Sequence, residues 1–466
     1  MNVFNSSFFF CILLFVFHGQ ANSQISKNIQ LLDNWFQDSL VTSNSYKVRF
    51  SDCFGFVVNG KEYGIIGSTE GSHFFELSNS NKLLPKGTIQ GKYQSALVVH
   101  REYAKYKNYI YAVCDEGPSS LQIIDISNID NALTLAKEDS VIFGQVHNIF
   151  IDTNNALMYC CIFTPYIGNP GQLYSPMKVY SIVDPLNPVE VWDGPSDIDE
   201  VHDIYVRDNK AFLNCGFEGL RVYDFTNPST PIFKSSLGLY QEQGYNHQGW
   251  LSPDGNTYFF GDETSGKKIK RCAVNNWNVA VTNYFGTNSA NMSVPHNMKC
   301  TNEFLFCAYY NEGLRIYDTR NGYPVEIAYY DTYPDNSTYK LNGAWGVYSD
   351  LPSGRILVSD RQYGLFLLDF DRALFLHETN GEEVQLFPNP ITSGNEISIV
   401  ANDESVDGLN LKIYDYSGNL INAISILGQN YYKGILTAVK GVYFVRIAYF
   451  DKNNTEMVNV QKLIIL

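Results

Sequence analysis

A chain of 466 residues has room for one large domain and a smaller one. Its 45% hydrophobic and 15% aromatic content, with 33 Tyr and 30 Phe, suits sheet-rich packing, because aromatic side chains favour pleated surfaces. A formal net charge of −15 repels phosphate backbones and argues against nucleic acid as a partner.

Residues 1–23 read as a secretory signal peptide. The apolar core at 8–17 is too short to span a bilayer, and Ala21-Asn22-Ser23 offers a small-x-small cleavage site before Gln24. Cys11 lies inside that core, not at its end, which argues against a lipoprotein anchor. The mature chain is expected to be exported and to carry no transmembrane segment. Eight cysteines remain after cleavage, and an even number in an oxidising compartment invites disulfides. However, Cys114, Cys161 and Cys215 each follow an Asn (Asn108, Asn155, Asn209) by six residues, at one position of a repeat. Equivalent positions on neighbouring units rarely come within bridging distance, so buried packing cysteines are expected instead.

After the leader, NIQLLDNW at 28–35 has strand character. A phrase then recurs almost verbatim, GLRVYDFTNP at 219–228 and GLRIYDTRNG at 313–322, with Asp224 and Asp318 94 positions apart. Fainter echoes are marked by Glu76, Asp125, Ser181, Ala273 and Asp369. The successive steps between all seven marks are 49, 56, 43, 49, 45 and 51 residues. A period of that size means units that cannot bury their own apolar faces and must stack. Apolar and polar residues alternate within the phrase, Leu220 and Val222 against Arg221, which is the signature of a strand. Seven such units predict a β-propeller, with blades at about 50–90, 91–143, 144–198, 199–242, 243–292, 293–340 and 341–375. The last unit holds only three strand phrases, GAWGVYS, RILVSD and GLFLLDF, so 28–35 is expected to supply its outer strand and close the ring. The third unit carries a Pro- and Gly-rich insertion at 165–176, a loop suited to contacting a partner.

Residues 376–383 read as a polar linker closing the 24–375 domain. From 384 to 466 the pattern becomes LFPNP, EISIVAN, LKIYDYSGNLI, GILTAV, GVYFVRIAYF and VQKLIIL, short strands that predict a small immunoglobulin-like β-sandwich. LFPNP at 386–390, IYDYSGNLI at 413–421 and GVYFVR at 441–446 carry a resemblance to the type A C-terminal sorting domain of the Bacteroidetes type IX secretion system. That resemblance implies handling by the type IX machinery and export across the outer membrane. Removal of the tail would follow, with the mature protein secreted or held at the outer surface of a Gram-negative bacterium.

A second constellation follows the repeat. His147-Asn148, His202-Asp203, His247-Gln248 and His296-Asn297 lie 55, 45 and 49 residues apart, and Ala344-Trp345 takes that place in the last unit. Each pair sits in an alternating segment expected to be the innermost strand of its blade, which lines the channel. Neutral imidazoles are ligands for a divalent metal ion, and Asp203, Asp262 and Glu263 are carboxylates able to assist. Repeated histidines equally serve to bond one blade to the next, and both uses stand open. Gly261-Asp262-Glu263-Thr264 either binds a cation or caps its turn, and Trp345 is a candidate ligand contact beside Asp262 and Glu263. DTYPD at 331–335 lacks the rest of a calcium loop and reads as a turn. No G-x-S-x-G elbow, H-E-x-x-H helix, P-loop or G-x-G-x-x-G motif is present, so no catalytic residue is assigned.

The propeller is similar to the choice-of-anchor B family, whose repeats are related to the LVIVD repeat. The phrases are LLDNW (31–35), KEYGIIG (61–67), VHNIFID (146–152), NHQGWL (246–251), YNEGLRIYD (310–318), YYDTYP (329–334), NGAWGVY (342–348) and SGRILVSDRQYGLF (353–366). The likeness implies an extracellular domain mounted on alternative C-terminal anchors, of which a type IX tail is one, and it implies no activity. The family's Trp-Arg-Asp opening of the second inner strand is expected at Gln94-Ser95-Ala96, which lacks the Arg and the acid, whereas Asp52 keeps the acid of the first blade. The expected function is an exported binding module for an unknown extracellular ligand. The alternative is a metal-dependent hydrolase or lyase with a His-lined channel site.

Overall fold

The computed structural model describes residues 26–466 apart from 167–173, 288–292, 321, 335–340, 371–383, 402–405, 407, 416–418 and 451–455. The signal peptide, the linker and most of the 165–176 insertion therefore lie outside the described residues.

The protein is all-β, with seven antiparallel sheets followed by two more. The repeated phrase is the third strand of every blade: Gly71–Leu77, Leu121–Asp125, Ser175–Ser181, Leu220–Asp224, Ile269–Asn275, Leu314–Asp318 and Gly364–Phe370. Gly219, Gly313 and Gly364 open it with φ of +85°, +71° and +86°. A Cβ there would collide with a carbonyl on the outermost strand or just beyond its line, those of Leu237, Tyr330 and Trp35, so only glycine serves.

The first strands are Phe50–Val58, Arg101–Tyr106, Phe143–Asp152, Asp203–Arg207, Asn246–Leu251, Met298–Cys300 and Ala344–Tyr348. Each adjoins the next, and Ala344–Tyr348 returns to Phe50–Val58, so the seven enclose a channel. Apolar faces of neighbouring sheets pack between them; Tyr111 and Ile123 of the second blade meet Met158 and Cys160 of the third. All eight cysteines from Cys53 to Cys307 are buried and free, packing residues rather than bridges.

Closure comes from the start of the described chain. Ile29–Trp35 pairs antiparallel with Gly364–Phe370, from Ile29 opposite Phe370 to Trp35 opposite Leu365, and completes the seventh sheet. Ser26–Lys27 instead joins Val325–Tyr330 of the sixth blade. On its other side Trp35 packs against Phe50 and Phe75 of the first blade, with ring centroids 5.6 and 4.8 Å away. The Asp33 carboxylate accepts the Leu83 backbone N–H (2.9 Å) and the Lys82 ammonium (3.0 Å). One short segment thus latches three blades and leaves no open edge where the ring meets itself.

One expectation is corrected. Gln94-Ser95-Ala96 does not open an inner strand; it lies in the connection between blades, and the second inner strand begins at Arg101. The hairpin pairing Tyr106 with Tyr109, with Lys107 at φ 52°, fixes that register. The opening is therefore His100-Arg101-Glu102, and an Arg followed by a carboxylate is present after all. Arg101 bonds the Ser68 and Tyr93 carbonyls, both at 2.7 Å, tying the strand to the first blade and its connection.

The tail forms a three-stranded and a four-stranded antiparallel sheet. Its core includes Leu386, Ile397, Leu411, Val445 and Leu463. Asn389 of the LFPNP phrase accepts the Ile464 N–H at 2.9 Å and donates to the Lys462 carbonyl at 2.5 Å, which fastens the phrase to the last strand.

Candidate functional site: an imidazole ring in the propeller channel

The inner strands and their leading residues bring His147, His202, His247, His296 and Trp345 together, and they add His100, which the His-amide and His-acid pairs of the repeat do not mark. Successive ring centroids from His100 through His147, His202, His247 and His296 to Trp345 are 5.0, 4.4, 4.2, 4.3 and 4.0 Å apart. Trp345 stands 5.2 Å from His100, so six aromatic rings close a circle. Six blades supply them, and the first contributes none. His100 precedes His147 by 47 residues and opens an alternating strand, REYAKY. Its partner in the pair is Arg101, not an amide or acid, which hid it.

The Nδ1 atoms divide the circle. His100 donates to Glu116 (2.5 Å) and His147 to Asp115 (2.8 Å), both carboxylates on the loop after the second strand of the second blade. His202 and His296 instead bond main-chain carbonyls of the next blade, those of His247 (3.2 Å) and Trp345 (2.7 Å). Blade-to-blade bonding and convergence on the axis are thus both present. The His247 ring makes no hydrogen bond among the described residues; its Nδ1 is buried and its Nε2 stands 3.8 Å from a Glu263 oxygen. The other Glu263 oxygen accepts the Tyr310 hydroxyl.

Electrostatics follow these partners. Burial opposes charge on His147, but the hydrogen bond and charge of Asp115, helped by Glu263 and Glu116, raise its pKa above the ordinary 6.5. Burial pushes His247 down to about 4, and holds His202 and His296 well below the ordinary value, with neighbouring imidazoles adding to the effect.

A cavity of about 130 Å³ opens at this mouth, bordered by four of the imidazoles with Glu263, Tyr46 and Arg361. Arg361 is 1% exposed and its guanidinium is held between Trp345 (4.3 Å) and Tyr46 (4.8 Å). Asp115, Glu263 and Arg361 each directly follow the second strand of their blade, so this loop decorates the mouth.

Asp262 points elsewhere. It is wholly buried, pairs with Lys270 at 2.6 Å, and accepts the Tyr240 hydroxyl (2.7 Å) and the Gly244 N–H (2.9 Å). It braces the turn that carries Glu263.

Further along the inner strands lies a second layer, including Asp52, Glu102, Asn148 and Asp203, at the base of a larger cavity of about 390 Å³. Asn148 donates to Asp203 at 3.0 Å, and the Trp345 indole N–H reaches Glu102 at 3.5 Å. Burial raises Asp52 to about 6 and Asp203 to about 8, and burial with the Asp52 charge lifts Glu102 well above the usual carboxylate range.

Among known proteins, residues 385–466 match the secretion system C-terminal sorting domain. The tail is a sorting domain. This domain marks the chain for handling by the type IX secretion machinery, with export to the cell surface or beyond. No curated protein matches the chain. Among the many solved structures similar to it, two align over nearly their whole length. One, from Bacteroides uniformis, is a candidate 6-phosphogluconolactonase, 12% identical, covering 83% of this chain and 99% of its own, with a TM-score of 0.49. The other is the Cps50 (Swd1) β-propeller domain of Myceliophthora thermophila, 10% identical, covering 71% and 99%, with a TM-score of 0.46.

Proposed function

We propose that this is an exported binding module whose propeller takes an extracellular ligand at the imidazole-ringed mouth of its channel. The observation that carries this reading is the mouth itself. Six aromatic rings close a circle there and leave a cavity of about 130 Å³ edged by Arg361 and Glu263. The sorting domain supports delivery to the surface or the medium, and the similarity to the choice-of-anchor B family supports an extracellular role on an interchangeable anchor. The propeller occupies 24–375 and the sorting domain 384–466. The test is capture of cell-wall glycans, polysaccharides and host proteins by the purified mature chain, repeated with His147→Ala. Binding that the variant weakens supports the reading; an empty panel overturns it.

A second reading, a metal-dependent hydrolase or lyase, is favoured by one observation. Two sets of side chains at the mouth, His100-Asp115-His147 and His247-Glu263-His296, each hold ligating atoms within 4.8 Å of one another. His202 belongs to neither set, so this reading draws on His147 in one set and on His247 and His296 in the other. Metal-dependent turnover of a substrate from the same panel would favour this reading; metal-independent binding would sink it.

A further inference from the structure

The two sets differ in what their nitrogens already do. In His100-Asp115-His147 the carboxylate of the set is itself bonded, Asp115 accepting His147 Nδ1–H at 2.8 Å, and His100 Nδ1 is taken by Glu116 at 2.5 Å, so hydrogen bonds account for the cluster. In the other set they do not. His296 donates Nδ1–H to the Trp345 carbonyl at 2.7 Å, which fixes the proton there and leaves the Nε2 lone pair free. That Nε2 is buried and has no hydrogen-bond partner among the described residues, and the residue is 1% exposed. A carbonyl on one ring nitrogen and a free lone pair on the other is the arrangement that orients metal-bound imidazoles. His247, 3% exposed, has neither ring nitrogen hydrogen-bonded among the described residues, although a neutral imidazole always carries one N–H to be placed. The Glu263 oxygen that does not receive Tyr310 faces His247 Nε2 at 3.8 Å.

We propose that His247, His296 and Glu263 are the protein ligands of a divalent transition-metal ion of the Zn²⁺ class, with its remaining position open to the channel-mouth cavity. Two imidazoles and one carboxylate with a free position form a borderline donor set suited to such ions. Donors on one tetrahedral ion stand about 3.3 Å apart for bonds of about 2.0 Å, so these side chains draw in from their 4.8 Å limit by rotamer adjustment. One Glu263 oxygen is held by the Tyr310 hydroxyl, and the other, 3.8 Å from His247 Nε2, is the one left to approach the ion. Arg361 borders the same cavity, so the open position suits an oxygen ligand, neutral or anionic, and disfavours a second cation. The site serves a binding module or an enzyme alike, and its occupancy is read without knowing the ligand.

The test uses the full mature chain, stripped with chelator and titrated with Zn²⁺ by calorimetry and with Co²⁺ by visible absorption. One equivalent is expected, with affinity lowered at least tenfold by Glu263→Gln and by His296→Phe. X-ray absorption of the Zn²⁺-loaded wild-type chain, which needs no variant to fold, is expected to show two imidazoles. No saturable binding, or a Zn²⁺ shell without imidazole, overturns the proposal. So does loss of binding that follows Asp115→Asn while Glu263→Gln binds normally, because it assigns the ion to the other set.

Discussion

His147 and His247 occupy the same position of the repeat in the third and fifth blades, yet they are different chemical objects. His147 is bonded to Asp115, and its pKa is raised despite burial. The His247 ring has no hydrogen-bond partner among the described residues, and burial pushes its pKa down to about 4. The repeat places both rings on the channel wall. What separates them is the loop after a second strand, which brings Asp115 within 2.8 Å of one and leaves Glu263 3.8 Å from the other. Position comes from the period, and protonation comes from the loops.

The comparison breaks first at the root of the His247 side. Lys270→Met strands the Asp262 carboxylate in a wholly buried site, and loss of a buried partner costs about 3–5 kcal/mol. Denaturant unfolding is expected to show a loss of that size. A change below about 1 kcal/mol would mean that Asp262 does not hold the Glu263 turn through this ion pair.

A paired substitution sharpens the contrast. His147→Leu takes away the partner of Asp115 and is expected to cost about 1–3 kcal/mol. His247→Leu removes a buried ring that makes no hydrogen bond among the described residues, so metal-free stability is expected to stay within about 1 kcal/mol of the parent. Equal losses in thermal or denaturant unfolding would erase the distinction.

The layer beneath gives an effect that depends on pH. Burial raises Asp203 from the ordinary 3.8 to about 8, so the folded chain binds its proton more tightly than the unfolded one. Its contribution to stability is full below 3.8 and is lost as pH rises through about 8. Asp203→Asn should therefore flatten part of the fall in Tm across that window, and an unchanged slope would contradict the assignment.

Much of the fold was legible because its causes are local. The glycine-led phrase repeats since the third strand of several blades meets a neighbouring carbonyl at its start, as at Gly219 and Gly313. The missing outer strand of the last blade was readable as three strand phrases where four were due, and Ile29–Trp35 fills the gap. The site was half legible. His147, His202, His247, His296 and Trp345 follow the period, but His100 is followed in sequence by an arginine and so does not show the pattern of the other pairs. Asp115, Glu116 and Arg361 lie on loops with no shared residue type, and only folding brings them to the mouth. Asp262 and Glu263 are adjacent in sequence and part company in space, one into a buried ion pair and one toward the channel.

The most direct test follows the histidine ring nitrogens of the metal-free mature chain through a pH titration by long-range proton–nitrogen NMR. His147 should hold its proton above pH 6.5, favouring the fold below that value and fading as pH rises through its raised pKa. His247 should stay neutral down to about pH 4, a contribution present above 6.5 and lost as pH falls. Two curves with a shared midpoint near 6.5 would contradict the account.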